Sequence, residues 1–207
     1  MEILFFIAIL MMSVIIHELS HGYVASFLGD PTARLAGRLT LNPIAHLDPV
    51  GSVIVPLFLS ILPGGFIFGW ARPVPFNPYN LKAGRWGPAL VAIAGPVSNL
   101  FLAFIFGVII RLSVENLSPV ALMVLSQIVL INLVLAIFNS LPIPPLDGSK
   151  ILFALLPYSW RSVETWLTRY WILIVLAVVF FGGVFIITAI SFLFELLTDL
   201  PFKAFFG

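Results

Sequence analysis

The residues best suited to chemistry are two histidines and a glutamate in the motif His17-Glu18-Leu19-Ser20-His21, inside an otherwise apolar run. If residues 3–28 form one helix, His17 and His21 lie on one face, one turn apart, with Glu18 beside them. Zn²⁺ binds neutral imidazole nitrogens, and a catalytic zinc site also needs a carboxylate that takes a proton from the attacking water. The spacing therefore predicts that His17 and His21 are zinc ligands and that Glu18 is the general base.

A pattern of five residues also arises by chance, and a histidine buried in a helix often only satisfies a neighbouring polar group. The apolar surroundings shift the balance, because an ionisable side chain inside a membrane span is costly and marks a functional site by default. We therefore interpret the motif as functional.

The composition is that of a membrane protein. Of 207 residues, 61% are hydrophobic and 9% are charged, whereas soluble domains contain roughly 25% charged residues. Apolar runs long enough to cross about 30 Å of hydrocarbon occur at residues 3–28, 88–110, 119–141 and 171–194. We predict an all-α polytopic membrane protein with about 4–6 membrane segments. It forms a single domain over residues 1–207, with a catalytic core at 1–157, followed by an interfacial helix and a last span at 158–207.

Several function classes are disfavoured. A net charge of +1 provides no basic patch for nucleic acid, and no glycine-rich phosphate loop follows a strand, so neither nucleic acid nor nucleotide is an expected partner. The absence of cysteine excludes disulfides and thiolate metal sites. The only early charge is Glu2, where a signal peptide would have a basic region, so the first apolar run is interpreted as a retained span.

Two segments after the first span interrupt the helical pattern. Residues 33–41 alternate between apolar and polar positions, which predicts a small interfacial strand whose free edge could pair with an extended substrate. Residues 50–69 contain several prolines and glycines, which predicts a re-entrant, β-hairpin-like segment. Re-entry places eight of the ten Lys and Arg residues on one side of the membrane, and a crossing at best six. The positive-inside tendency thus favours re-entry, with the site toward the cytoplasmic side.

A catalytic zinc site usually has three protein ligands, so a third must come from elsewhere. Asp147 is favoured, because the segment Asn139-Ser140-Leu141-Pro142-Ile143-Pro144-Pro145-Leu146-Asp147-Gly148 breaks a helix at membrane depth, which is tolerated where the backbone lines a cavity. The other candidates are His46, Asp48, Glu115 and Glu164. His46 and Asp48 lie in a proline-bounded loop, where a turn with an Asx-type cap is the favoured role. Asn99, on a small-residue stripe, is interpreted as a hydrogen bond between helices.

Together these separated motifs resemble the site-2 protease family of intramembrane zinc metalloproteases. The aspartate segment matches the family signature Asn-x-x-Pro-x-x-Pro-Leu-Asp-Gly, and residues 94–99 and 69–75 are similar to further family segments. The resemblance spans about residues 10–157 and is to the minimal, core-only group, without the PDZ or CBS-like domains that many members carry.

The resemblance implies that His17, His21 and Asp147 hold Zn²⁺, that Glu18 activates water for attack on a peptide carbonyl, and that Asn139 steadies the developing oxyanion. It also implies single-span membrane-protein substrates, cleaved within or next to the span in regulated intramembrane proteolysis. The expected location is the lipid bilayer of a prokaryotic plasma membrane.

Other functions stay open at this point. A prenyl-protein-type membrane metalloprotease shares the histidine motif but takes a glutamate or histidine as its third ligand. An ion transporter or channel could also have a broken helix with Asn139 and Asp147 at depth. A third possibility is an inactive scaffold that binds membrane partners.

Overall fold

A computed structural model of the chain describes residues 2–55, 57–58 and 71–206. These residues are mainly helical, and none of them forms a β-strand. Four helical stretches are long and apolar enough to cross a membrane: Leu4–Phe27, Gly84–Asn116, Pro119–Asn139 and Arg161–Thr198. The predicted fold class, an all-α polytopic membrane protein, is confirmed.

The α-helices used in the following description are numbered in chain order. They are α1 (Glu2–Phe27), α2 (Thr32–Leu35), α3 (Gly87–Ser113), α4 (Pro119–Asn139), α5 (Asp147–Leu155), α6 (Arg161–Thr198) and α7 (Lys203–Phe206). Helix α3 is central, because it packs against α1, α4, α5 and α6. The helices that supply the motif histidines and the distant aspartate therefore meet on α3.

Small side chains let α3 occupy this position. Ala92, Gly95, Ala103 and Gly107 are buried along it, and a Cβ atom added at Gly107 would lie 2.8 Å from the Cβ atom of Leu197 on α6. Close approach of this kind is what small residues permit between membrane helices. An apolar core lies nearby, formed by Ala103, Ile110, Val129, Leu133, Ile190 and Phe194. The interpretation of the small-residue stripe as a packing surface is confirmed.

The predicted strand at residues 33–41 is wrong. Thr32–Leu35 form the short helix α2, and Gly37 then reverses the chain with a φ of +64°, a conformation that glycine adopts without steric cost. The Arg38 amide donates to the Ala33 carbonyl over 3.0 Å, which closes the turn. Local hydrogen bonds determine the conformation here in spite of the two-residue alternation, because Asp30 accepts hydrogen bonds from the backbone and hydroxyl of Thr32 at the start of this helix.

The predicted re-entrant segment at residues 50–69 lies mostly outside the described residues, so re-entry stays a prediction. The turn before it is described: Asp48 Oδ1 accepts hydrogen bonds from the amides of Val50 and Gly51 over 3.0 and 2.7 Å. His46 is buried and its Nε2 lies 2.8 Å from the Thr40 carbonyl. The expected capping role of Asp48 is confirmed.

Helix α6 joins the predicted interfacial helix to the last span. Its residues are helical from Arg161 to Thr198 except at Tyr170, where φ is −109° and ψ is 16°. The break falls where the aromatic and charged sequence gives way to the apolar run. The division of the chain into a core at 1–157 and a C-terminal part stays a prediction.

Candidate metal centre

Three buried side chains from distant parts of the chain converge on one point. The Nε2 atoms of His17 and His21 each lie 3.1 Å from Asp147 Oδ2. All three ligand atoms lie within 4.8 Å of one another, and this is the one group of His, Asp and Glu side chains of this kind among the described residues. The structure thus brings together the three predicted zinc ligands, although 130 residues separate His17 from Asp147.

Helix α1 and the start of α5 position these ligands. His17 and His21 are one turn apart on α1, and their rings meet edge to face with centroids 4.7 Å apart. Asp147 is the first residue of α5, directly after the proline-rich loop. Gly148 is needed beside it, because a Cβ atom at that position would collide with the Ser140 carbonyl oxygen.

A charged partner holds the other oxygen of the aspartate. Lys150 Nζ lies 3.1 Å from Asp147 Oδ1, and the same ammonium lies 5.6 Å from the centre of the Phe76 ring. The ion pair therefore engages one carboxylate oxygen while Oδ2 faces the two histidines. This is the arrangement of a monodentate metal ligand.

The donor set fits zinc. Zinc bonds of about 2.0–2.2 Å in tetrahedral geometry place ligand atoms about 3.3–3.6 Å apart, slightly more than the 3.1 Å separations observed. The His21 Nδ1 atom lies 2.7 Å from the Val91 carbonyl. A carbonyl only accepts, so the neutral ring carries its proton on Nδ1 and has a lone pair on Nε2 for a metal. Two imidazoles and one carboxylate leave a fourth position for water, as in catalytic zinc sites.

Helix α3 forms the wall of the site at Gly95. A Cβ atom there would lie 2.5 Å from the Nε2 atoms of both His17 and His21. Only glycine lets the α3 backbone come this close to both rings. Sequence reasoning placed Gly95 on a packing stripe, but its role at the site depends on how α1 rotates against α3.

Glu18 lies beside the ligands without belonging to the group of three. Its Oε2 atom accepts a hydrogen bond of 2.7 Å from the Val74 amide, within a segment at residues 71–77 that has no regular secondary structure. A backbone donor on one oxygen orients the carboxylate. This placement is compatible with the predicted role of a base that does not bind the metal, which stays a prediction.

Arg38 holds the segment that contacts Glu18. Its Nη2 atom donates to the Arg72 carbonyl over 2.7 Å, and the Arg72 amide donates to the His46 carbonyl over 2.9 Å. Burial lowers the pKa of the Arg38 guanidinium, and so does nearby Arg72, while the Glu18 carboxylate opposes the shift. Arg38, predicted on an interfacial strand, is instead a buried support of this segment.

The remaining predicted residues lie apart from the three ligand atoms. Asn139 is the last residue of α4, and its Nδ2 atom donates one of its two protons to the Leu135 carbonyl over 2.9 Å. Its oxyanion role stays a prediction. Glu115 and Glu164 are exposed, which leaves Asp147 as the candidate that meets the histidines.

A hydrogen-bonded chain of polar side chains leads away from His17. The ring contacts Asn99 Oδ1 through Nδ1, and Asn99 Nδ2 donates to Asn132 Oδ1 over 2.8 Å. The prediction that Asn99 forms hydrogen bonds between helices is confirmed. The sequence did not predict that Ser13 and Asn132 take part in these hydrogen bonds. The only indication was that both are polar residues within apolar spans.

Comparison with known proteins identifies the family of the chain. The family model "Peptidase family M50" matches residues 113–182, which include Asn139 and Asp147. The chain is 45% identical over 163 residues to "Putative zinc metalloprotease YwhC" of Bacillus subtilis (strain 168), covering 75% of this chain and 71% of that protein. It is 31% identical over 138 residues to "Putative zinc metalloprotease Rip2" of Mycobacterium tuberculosis (strain ATCC 35801 / TMC 107 / Erdman), covering 67% of this chain and 52% of that protein.

The chain thus spans about half the length of its Rip2 relative. No solved structure matches it significantly. The similarity to YwhC extends over most of both chains, and the chain belongs to peptidase family M50, the site-2 protease family. It is a membrane metalloprotease, and its metal is zinc.

Proposed function

We propose that the protein is an intramembrane zinc endopeptidase. It hydrolyses peptide bonds within or next to the transmembrane segments of single-span membrane proteins, as in regulated intramembrane proteolysis. The observation that carries this proposal is the buried group of His17, His21 and Asp147 among helices long enough to span a membrane. A peptidase whose ligands lie among such helices meets peptide bonds that are themselves in or near the bilayer.

His17 and His21 through Nε2, and Asp147 through Oδ2, would hold the metal. When bound, Zn²⁺ supplies Lewis-acid chemistry, which acidifies water and polarises a carbonyl. Glu18 takes a proton from the attacking water as the water oxygen bonds to the peptide carbonyl carbon. The same carboxylate then passes that proton to the amide nitrogen as the C–N bond breaks.

Asn139 would donate a hydrogen bond to the oxygen that develops negative charge. A preplaced donor of this kind contributes on the order of 3 kcal/mol to transition-state stabilisation in a site that excludes water. The Asn139 amide is close enough in sequence to Asp147 to share the break after α4. The NH₂ group has two N–H donors, so one could bond the substrate oxygen while the other keeps the Leu135 carbonyl.

The proposed location is a prokaryotic plasma membrane with the site toward the cytoplasm. The charge distribution of the sequence supports this orientation. At 1.5 Å per residue, His17 and His21 lie about 9–15 Å along α1 from its end at Phe27. The site would then be inside the bilayer but nearer its cytoplasmic face.

The experiment is metal analysis of the purified protein together with cleavage of a panel of single-span peptides. The wild type is expected to contain about one zinc per chain and to cleave within or near a span. Glu18→Gln is expected to keep its zinc and to lose cleavage, because the amide cannot accept the proton. Glu115→Gln, at an exposed position, is the matched control and should behave as wild type. Full proteolysis by Glu18→Gln would contradict the proposal.

A further inference from the structure

A chain of buried polar side chains connects His17 to the interior of α4. Asn99 on α3 and Asn132 on α4 are fully buried, and Ser13 on α1 is 4% exposed. Asn132 Nδ2 donates to the Ile128 carbonyl over 2.8 Å and to Ser13 Oγ over 3.0 Å. Asn132 Oδ1 accepts from Asn99 Nδ2, and Asn99 Oδ1 meets His17 Nδ1. These contacts tie three helices to one metal ligand.

The backbone carbonyl of Ile128 fixes which side-chain groups donate and which accept along this row of hydrogen bonds. A carbonyl can only accept, so the Asn132 atom that faces it must be the NH₂ group. The other amide atom of Asn132 is therefore oxygen, which requires Asn99 to present its own NH₂ group there. Asn99 then presents oxygen to His17, so the neutral ring must carry its proton on Nδ1 and its lone pair on Nε2.

That tautomer is the one a metal needs. His17 Nε2 is the atom that faces Asp147 Oδ2, and a protonated Nε2 has no lone pair to offer. His21 obtains the same tautomer directly from the Val91 carbonyl. A backbone carbonyl thus sets the tautomer of each histidine: it bonds His21 directly, and it acts on His17 through the hydrogen bonds of two asparagines.

We propose that Asn132 is a positioning residue that sets the tautomer of His17 through Asn99, although it contacts neither the ring nor the metal position. This inference rests on the proposed role of His17 as a zinc ligand. Partners of this kind typically change metal affinity by about 10–100-fold when they are removed. Asn132 acts one side chain further from the metal than the residue that touches the histidine.

Two substitutions at Asn132 separate this role from simple packing. Asn132→Leu has a similar size but offers no acceptor, so the Asn99 amide is free to rotate and present NH₂ to His17. Zinc affinity should fall by about 10–100-fold. Asn132→Asp keeps an oxygen facing Asn99 whether the carboxyl is charged or neutral, so its zinc affinity should stay within about threefold of wild type.

If Asn132 only packed the helices together, zinc affinity would follow stability, and Asn132→Leu would bind zinc more tightly than Asn132→Asp. An apolar leucine is suited to an apolar interior, whereas a buried carboxylate is costly there. Stability should therefore favour Asn132→Leu while zinc affinity favours Asn132→Asp. Ser13→Ala is the control within the same network, because the Ile128 carbonyl still orients Asn132, and it should keep wild-type affinity.

A double variant provides rescue. Asn99→Asp places an acceptor beside His17 whatever Asn132 does, so Asn99→Asp/Asn132→Leu should recover most of the affinity that Asn132→Leu loses. Zinc affinity is measured by chelator competition on the purified protein, with the Co²⁺ absorption spectrum as a report on the ligand set. Asn132→Val replaces the leucine variant if that variant does not fold.

Equal zinc affinity in wild type and Asn132→Leu would overturn the inference, as would weaker binding by Asn132→Asp than by Asn132→Leu. In either case zinc binding and proteolysis by the wild type would leave the proposed function standing. A wild type that binds no zinc would instead overturn the proposed function, and this inference with it.

Discussion

The Val74 amide donates a hydrogen bond of 2.7 Å to Glu18 Oε2, which joins the candidate base to a segment 56 residues further along the chain. Val74 is buried, and it also packs against α1, because a Cβ atom at Gly22 would lie 2.8 Å from Val74 Cγ1. The orientation of Glu18 therefore depends on a segment outside α1. Its hydrogen-bond partner sits between Pro73 and Pro75, which have no amide proton of their own to offer.

Replacing Arg38 should slow catalysis without removing the metal. In Arg38→Gln the amide ends a shorter side chain and does not reach the Arg72 carbonyl that Nη2 contacts, so the segment that carries the Val74 amide shifts and Glu18 loses its orientation. We expect kcat for peptide cleavage to fall by about 10–100-fold with zinc content unchanged.

Arg34→Gln is the control, since Arg34 is exposed on the neighbouring helix α2. Steady-state cleavage and metal analysis are measured on all three proteins. Loss of zinc together with activity in Arg38→Gln would show that Arg38 acts on the metal ligands rather than on the base.

Adding one methyl group at Gly95 should abolish metal binding. Its Cβ atom would lie 2.5 Å from both histidine Nε2 atoms, so both rings must move from the ligand positions. Gly95→Ala is expected to contain little zinc and to show no cleavage. The test is metal analysis of the folded protein.

Gly183→Ala in α6 is the matched control, because nothing lies within 4 Å of its added Cβ atom. It should keep its zinc and gain up to about 1 kcal/mol of helix stability. Normal zinc content in Gly95→Ala would contradict the described contact between α3 and the histidines.

The buried carboxylate of Asp30 should make stability depend on acid pH. Burial alone would raise the pKa of Asp30, but hydrogen bonds from Thr32, Asn80 and the Asn77 amide lower it below its usual value. A pKa lower in the folded than in the unfolded state stabilises the protein above the unfolded value of about 3.9. This contribution is lost as the pH falls through the folded pKa.

Asp30→Asn should therefore lower the unfolding midpoint near pH 7 by several degrees and flatten its dependence on pH below about 4. The exposed Asp199 provides the control Asp199→Asn, which should change neither. Thermal unfolding in detergent from pH 3 to 7 measures both effects. A variant at Asp30 with wild-type midpoints throughout would show that these hydrogen bonds do not stabilise the fold.

The spans and the candidate ligands His17, His21 and Asp147 were predictable because each is marked by a local sequence pattern. Apolar length defines a membrane helix, a spacing of four residues places His17 and His21 on one face, and the proline-rich break indicates a cavity at Asp147. These features survive any rearrangement of the helices around them. Family resemblance added the role of each residue.

The features that the sequence did not predict correctly depend on particular turns and on the rotation of helices. Residues 33–41 alternate as a strand would, but Asp30 and the positive φ of Gly37 make a helical turn and a reversal. The path from His17 to Asn132 requires α1, α3 and α4 to present polar faces to one another. A single sequence specifies those faces only as isolated asparagines in apolar helices.

The central claim is that His17, His21 and Asp147 hold the zinc, and zinc-edge X-ray absorption of the purified protein tests it most directly. For the wild type we predict a four-coordinate site of nitrogen and oxygen ligands at about 2.0–2.2 Å, including two imidazoles. Asp147→Ala should lose most of its zinc or show a changed spectrum. An unchanged spectrum with full zinc content in Asp147→Ala would contradict the assignment.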